Sequence, residues 1–215
     1  MITLLNCLSD LFFPDCCLLC NTRLLPSEEG VCLQCLHVLP RTENYKEPGN
    51  QAETLLAGRF PFVRVATFCI YSSGGVLQPL IHQLKYDGKR EIGTLLGRLF
   101  GRDLYGSEFI RSIDLIVPVP LHPAKEKLRG FNQAEVIARG LSETTMIPLS
   151  TGNLVRSISN PTQTRRTKTE RWENVKGIFD LLDPSLYAGK HLLLVDDMIT
   201  TGSTIEACAY ALLKS

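Results

Sequence analysis

A chain of 215 residues has room for one medium domain with a small appendage and a core of useful size. Hydrophobic residues make up 44% and charged residues 21%, as in an ordinary folded protein, and no tract approaches the ~20 consecutive apolar residues of a membrane span. A formal net charge of +1 excludes a global field aimed at nucleic acid or membrane, so any anion-binding surface must be local.

The N-terminal stretch has no basic n-region, and Asp10 breaks its apolar run, so it does not read as an export signal. Leu4, Leu5, Leu8, Leu11 and Phe12 fit a short amphipathic helix packed on the rest of the chain. Without an export signal the eight cysteines do not suggest a disulfide framework, and a cytoplasmic location is expected.

Cys17-x2-Cys20-x11-Cys32-x2-Cys35 is a four-thiolate pattern. Each Cys-x-x-Cys puts two sulfurs on one tight turn, and two turns complete a tetrahedron around Zn2+. Four protein ligands leave no open position, so such a metal is structural. Residues 1–40 form this cysteine-rich module, a unit with too little core to fold without a metal. Cys16 in place of Cys17, and His37 in place of Cys35, are the alternative ligands. A redox role for Cys-x-x-Cys needs a thioredoxin-like setting that is missing here. Cys69 and Cys208 sit in strand-like and helix-like patterns and read as core.

Residues 41–61 are polar, carry Pro48, Gly49, Gly58 and Pro61, and read as a linker. From residue 62 the pattern changes. Val63, Val65, Thr67 and Phe68 to Tyr71 predict a strand. Leu77, Leu80, Ile81 and Leu84 predict a helix after Gly74-Gly75, and Leu95, Leu96, Leu99 and Phe100 predict another. Asp114 to Pro120 is a short apolar run ended by prolines, as in a strand covered on both faces. Phe131, Ala134, Ile137, Ala138 and Leu141 predict a helix. His191 to Val195 predicts a second buried strand, and residues 203–214 a final helix. Alternation of strands and helices argues for an α/β domain with a mainly parallel sheet over residues 62–215.

The most informative stretch is Leu192-Leu193-Leu194-Val195-Asp196-Asp197-Met198-Ile199-Thr200-Thr201-Gly202-Ser203-Thr204. An apolar strand delivers two carboxylates at its carboxyl end, where open α/β sheets bind ligands. Free N–H groups at the following helix start suit a phosphate, and Gly202 permits close approach. Thr200, Thr201, Ser203 and Thr204 add hydroxyl donors. Adjacent carboxylates repel phosphate but accept hydrogen bonds from a sugar diol. A simple helix cap explains one acid, not a pair followed by four hydroxyls. The loop lacks the lysine of a Walker A sequence.

This motif resembles the phosphoribosyl-diphosphate signature of the type I phosphoribosyltransferases. Three further stretches resemble the ComF (ComF/GntX-like) family more narrowly. They are Leu84-Lys85-Tyr86-Asp87-Gly88-Lys89-Arg90; Val117 to Pro123 with Lys125, Lys127 and the run Arg129-Gly130-Phe131-Asn132-Gln133; and Gln163 to Arg171 with Asn174 to Phe179. The resemblance implies a twisted, mainly parallel sheet flanked by helices and preceded by a small zinc ribbon. It implies that phosphoribosyl diphosphate and Mg2+ bind, and that phosphoribose passes to a nitrogen acceptor. Asp196 and Asp197 would bind the ribose hydroxyls, and Thr200, Thr201, Gly202, Ser203 and Thr204 the 5′-phosphate. Lys85 would contact pyrophosphate, with Lys125, Arg129 and Arg171 facing the same anion. Residues 156–176 hold six Arg or Lys against two Glu, so much of the positive charge is local. Asn132 and Gln133 either touch ligand or cap the following helix. The family normally continues into another apolar strand where this sequence stops at Leu212-Leu213-Lys214-Ser215, so the domain reads as cut short.

Two other readings stand beside the enzyme. One is a non-catalytic protein that senses or holds a ribose phosphate. The other makes the zinc module a contact for DNA or protein, although Arg23 is its single cation, thin charge for phosphate binding. Relatives in the family imply partners in the DNA-uptake machinery. The acceptor is not legible, and a homodimer is the default assembly.

Overall fold

The computed structural model describes residues 14–156 and 178–214. The helix expected over residues 4–12 and most of the basic stretch, Arg171 included, lie outside them. Among the described residues no helix is long and apolar enough to cross a membrane.

The cysteine module ends in a short helix, α1 (Leu33–His37), which begins directly after Cys32. Residues 41–61, read from sequence as a linker, hold a 3-10 turn (Asn44–Lys46) and α2 (Gln51–Leu56). Two side chains knit this stretch together. Asn50 caps α2 by accepting from the amides of Ala52 and Glu53, and its amide group donates to the carbonyls of Asn44, Glu47 and Val65. Glu53, only 8% exposed, accepts from the Gly49 and Val65 amides and from Arg64 Nε at 2.8 Å. Buried polar atoms satisfied in this way hold irregular chain as firmly as a ladder does.

The strand expected over 62–71 forms no ladder among the described residues. The backbone partner of this segment is the irregular chain at 40–42. That leaves one antiparallel bridge, Arg41 to Cys69, flanked by bonds from Thr42 N to Phe68 O and from Ile70 N to Pro40 O. Alternating apolar residues make a strand only when a neighbour offers matching N–H and C=O groups.

The expected helices follow as α3 (Gln78–Tyr86) and α4 (Arg90–Leu104). Next come β1 (Leu115–Pro118), α5 (Pro123–Arg129) and α6 (Gln133–Thr145). The chain ends with β2 (Leu154–Arg156), β3 (Phe179–Leu181), β4 (Leu192–Val195) and α7 (Ser203–Leu212). β1 and β4 pair in parallel, Leu115 opposite Leu192 through to Pro118 opposite Val195. On the other side of β1, Ile116 makes a parallel bridge to Leu149. β1 is thus central, and Ile116 and Val117 are fully buried. β2 and β3 form a separate antiparallel pair, too short to leave a sequence signal.

Helices α4 and α6 cross at glycines. A Cβ at Gly97 would overlap the Ile137 carbonyl, and one at Gly140 the Thr94 carbonyl. Their apolar faces join Leu80, Leu84, Ile92 and Ile116 in the main core. The outer face of α4 receives the cysteine module: Leu95 and Leu99 pack with Cys17, Val31 and Cys32. Arg98 pairs with both Glu29 of the module and Glu143 of α6. The module therefore leans on a helix that also builds the domain core.

Candidate functional site

The four cysteines converge. The sulfurs of Cys17, Cys20, Cys32 and Cys35 lie within 4.8 Å of one another, with Cys20 and Cys32 3.7 Å apart. Four sulfurs ~2.3 Å from one zinc sit about 3.8 Å apart, so the donor set fits that ion. The Cys32 amide donates to Cys17 Sγ at 3.4 Å, which favours a thiolate there. Hydrogen bonding with Thr22 lowers the Cys20 thiol to about 6, whereas burial pushes Cys35 up. Cys16 is turned away and bonds the Pro14 carbonyl.

The second centre lies where β1 and β4 end. Val119 N donates to Val195 O at 2.8 Å, so the chain leaves both strands at one edge. Asp196 and Asp197 emerge there from β4. The Asp197 amide donates to Asp196 Oδ1 at 2.8 Å, and Lys85 Nζ at the end of α3 lies 2.9 Å from Asp197 Oδ2. Burial, reinforced by the Asp197 charge, raises Asp196 to about 6. The loop that follows keeps Thr200, Thr201, Ser203 and Thr204 exposed. Gly202 takes φ +76°, a left-handed turn that lets α7 start at once. Thr201 Oγ1 and Ser203 Oγ lie 3.0 Å apart. Asp196, Asp197 and Thr200 line a cavity of about 1300 Å³ together with β4, Leu56, Phe60 and Phe62. Acceptors for a diol, amides and hydroxyls for a phosphate, and a lysine thus share one sheet edge.

The phosphoribosyl transferase domain family matches residues 127–215, the part that carries α6, β4, the acidic pair and α7 but not β1. The chain is 30% identical over 217 residues to the DNA utilization protein YhgH of Escherichia coli (strain K12), covering 94% of this chain and 92% of that protein. It is 32% identical over 143 residues to Competence protein F of Haemophilus influenzae, covering 64% of this chain and 62% of that one. It is 30% identical over 145 residues to Competence protein ComFC of Bacillus subtilis, covering 67% of this chain and 57% of that one. The chain belongs to the ComF family of phosphoribosyltransferase-domain proteins. No solved structure matches it.

The basic residues singled out for this ComF chain divide. Lys85 meets the acidic pair directly. Arg129, at the end of α5, donates to Gln133 Oε1 at 2.8 Å and stacks 5.9 Å from the Tyr86 ring, which places it beside the end of α3. Lys125 is exposed on α5 and makes no ion pair among the described residues. Asn132 settles as a cap: its Oδ1 accepts from the Ala134 amide and its amide donates to Val119 O. Gln133 is buried against Arg129. Sequence reading missed Arg59, which bonds Glu206 and the Thr201 carbonyl. An arginine between Gly58 and Phe60 belongs to no motif, and only the folded chain brings it to the loop.

Proposed function

We propose that this sheet edge binds phosphoribosyl diphosphate with Mg2+ and transfers phosphoribose to a nitrogen acceptor. The observation that carries the reading is the acidic pair at the end of β4, faced by Lys85 and followed by a loop of exposed hydroxyls that opens α7. Asp196 and Asp197 accept from the ribose hydroxyls. Thr200, Thr201, Gly202, Ser203 and Thr204 hold the 5′-phosphate at the positive end of α7. Lys85, Lys125, Arg129 and Arg171 offset the pyrophosphate charge. The bond from the anomeric carbon to pyrophosphate breaks, the leaving group keeps the electron pair, and the acceptor nitrogen forms the new bond. Mg2+ prefers oxygen donors, and the pyrophosphate oxygens with a carboxylate of the pair suit it. When bound it neutralises charge on the leaving group. The four cysteines hold a structural zinc.

The relatives' names, DNA utilization protein for one and Competence protein for another, suggest the biological setting proposed for this chain, a ComF-like role in competence and DNA use. Neither name states a transferase, and the same geometry serves a second reading, in which the site senses a ribose phosphate without turnover. Full-length protein incubated with phosphoribosyl diphosphate, Mg2+ and a panel of nitrogen bases distinguishes the two. Pyrophosphate release with one base establishes the transferase, binding without release across the panel establishes the sensor, and no binding removes both.

A further inference from the structure

Arg59 reaches the opening of α7 from the chain that joins the cysteine module to the rest of the domain. Its Nε and Nη2 donate to Glu206 Oε2 at 3.0 and 2.5 Å, and its Nη1 donates to the Thr201 carbonyl. Its Nη2 lies 3.4 Å from Ser203 Oγ. The arginine is itself held, because the Tyr210 hydroxyl donates to the Arg59 carbonyl at 2.6 Å. Leu56 closes on Gly202 so tightly that a Cβ there would overlap it.

Two physical consequences follow for a phosphate on this loop. Glu206 is a carboxylate only 8% exposed in the first turn of α7. It suits the helix dipole but repels a phosphate at the same helix end. The Arg59 guanidinium neutralises it through two charge-assisted bonds. In addition, the Thr201 carbonyl points at Arg59. A trans peptide is planar, so the Gly202 N–H points the opposite way. That N–H has no acceptor among the described residues.

We propose that Arg59 is the positioning residue of the 5′-phosphate loop. It orients the Thr201–Gly202 peptide so that its amide faces the ligand side, and it cancels the Glu206 charge. The proposal rests on the phosphoribose reading above and deepens it. The arm leading from the cysteine module becomes part of the sugar-phosphate site.

The test is calorimetry on the full chain with two probes, ribose 5-phosphate and magnesium pyrophosphate. Arg59→Met is expected to weaken ribose 5-phosphate binding roughly tenfold or more, with Arg59→Lys in between, while pyrophosphate affinity stays within about twofold. Unchanged ribose 5-phosphate affinity in Arg59→Met overturns the assignment. So does an equal loss for both probes, which marks a general structural defect. Glu206→Gln, which keeps Arg59, is expected to bind ribose 5-phosphate more tightly, because the guanidinium charge is then uncompensated. Affinity equal to or below wild type overturns the charge argument even if Arg59→Met fails to fold. Wild-type protein that takes up no ribose 5-phosphate overturns the phosphoribose reading and the assignment with it. Wild-type binding matched by Arg59→Met overturns the assignment alone.

Discussion

The Lys85 ammonium lies 2.9 Å from the Asp197 carboxylate and ties the end of α3 to the end of β4. Both side chains are mostly buried, so deleting one partner strands the other charge in a poorly solvated place. Lys85→Met is expected to cost about 2 kcal/mol of stability and to weaken phosphoribosyl diphosphate binding at least tenfold. Urea denaturation and calorimetry read the two effects. The double variant Lys85→Met/Asp197→Asn should be more stable than the sum of the single losses predicts, since neither charge is then left alone.

Asp196 gives a pH dependence of definite sign. Its folded pKa, raised to about 6 chiefly by burial, lies above the unfolded value of 3.8. The folded state then holds the proton more tightly than the unfolded state. The ionised carboxylate imposes a penalty that is absent below about pH 4 and complete above the folded value. Asp196→Asn removes that penalty. The variant is expected to be more stable than wild type by roughly 1 kcal/mol at pH 8, after discounting for partial solvent access. The difference should vanish as pH falls toward 4. Melting curves across this range check the slope. The same variant should lose phosphoribosyl diphosphate affinity, because an amide is a poorer acceptor for a diol than a carboxylate.

Metal removal should be felt beyond the cysteine module. Cys17, Val31 and Cys32 pack on Leu95 and Leu99, so a module that loses its metal uncovers the outer face of α4. Elemental analysis is expected to find one zinc per chain. Chelation, or Cys32→Ser, should lower the melting temperature by about 5 °C or more. Unchanged melting after verified zinc loss would show that the module is an independent appendage.

The α4–α6 crossing is a further sensitive point. A methyl at position 97 meets the backbone carbonyl of Ile137, and no side chain can swing aside to relieve the overlap. Gly97→Ala should therefore destabilise by about 3 kcal/mol, despite the better helix propensity of alanine. Thermal or urea denaturation of Gly97→Ala gives the direct measurement.

Legibility from sequence followed the range of the interactions. Leu77, Leu80, Ile81 and Leu84, and then Leu95, Leu96, Leu99 and Phe100, repeat at helical spacing, and α3 and α4 form as expected. The apolar runs Asp114 to Pro120 and His191 to Val195 supply the parallel pair β1 and β4. The cysteine spacing correctly grouped Cys17, Cys20, Cys32 and Cys35. The segment 62–71 has a strand's composition, yet its neighbour at 40–42 is irregular and supplies only one bridge. Pro48, Gly49 and Gly58 suggested a loose linker, whereas Asn50 and Glu53 fasten that stretch to Val65 through backbone bonds.

By itself the sequence determined the chemistry on offer: a four-thiolate metal set, and two acids followed by hydroxyls and a glycine after an apolar strand. These depend on residues a few positions apart, whose spacing alone sets which groups share a turn. Only the tertiary structure decided that Lys85 faces Asp197, that Arg59 secures the loop at Thr201 and Glu206, and that the cysteine module leans on α4. Those contacts arise where distant parts of the chain pack against each other, and the geometry of that packing is a property of the whole core rather than of any local pattern.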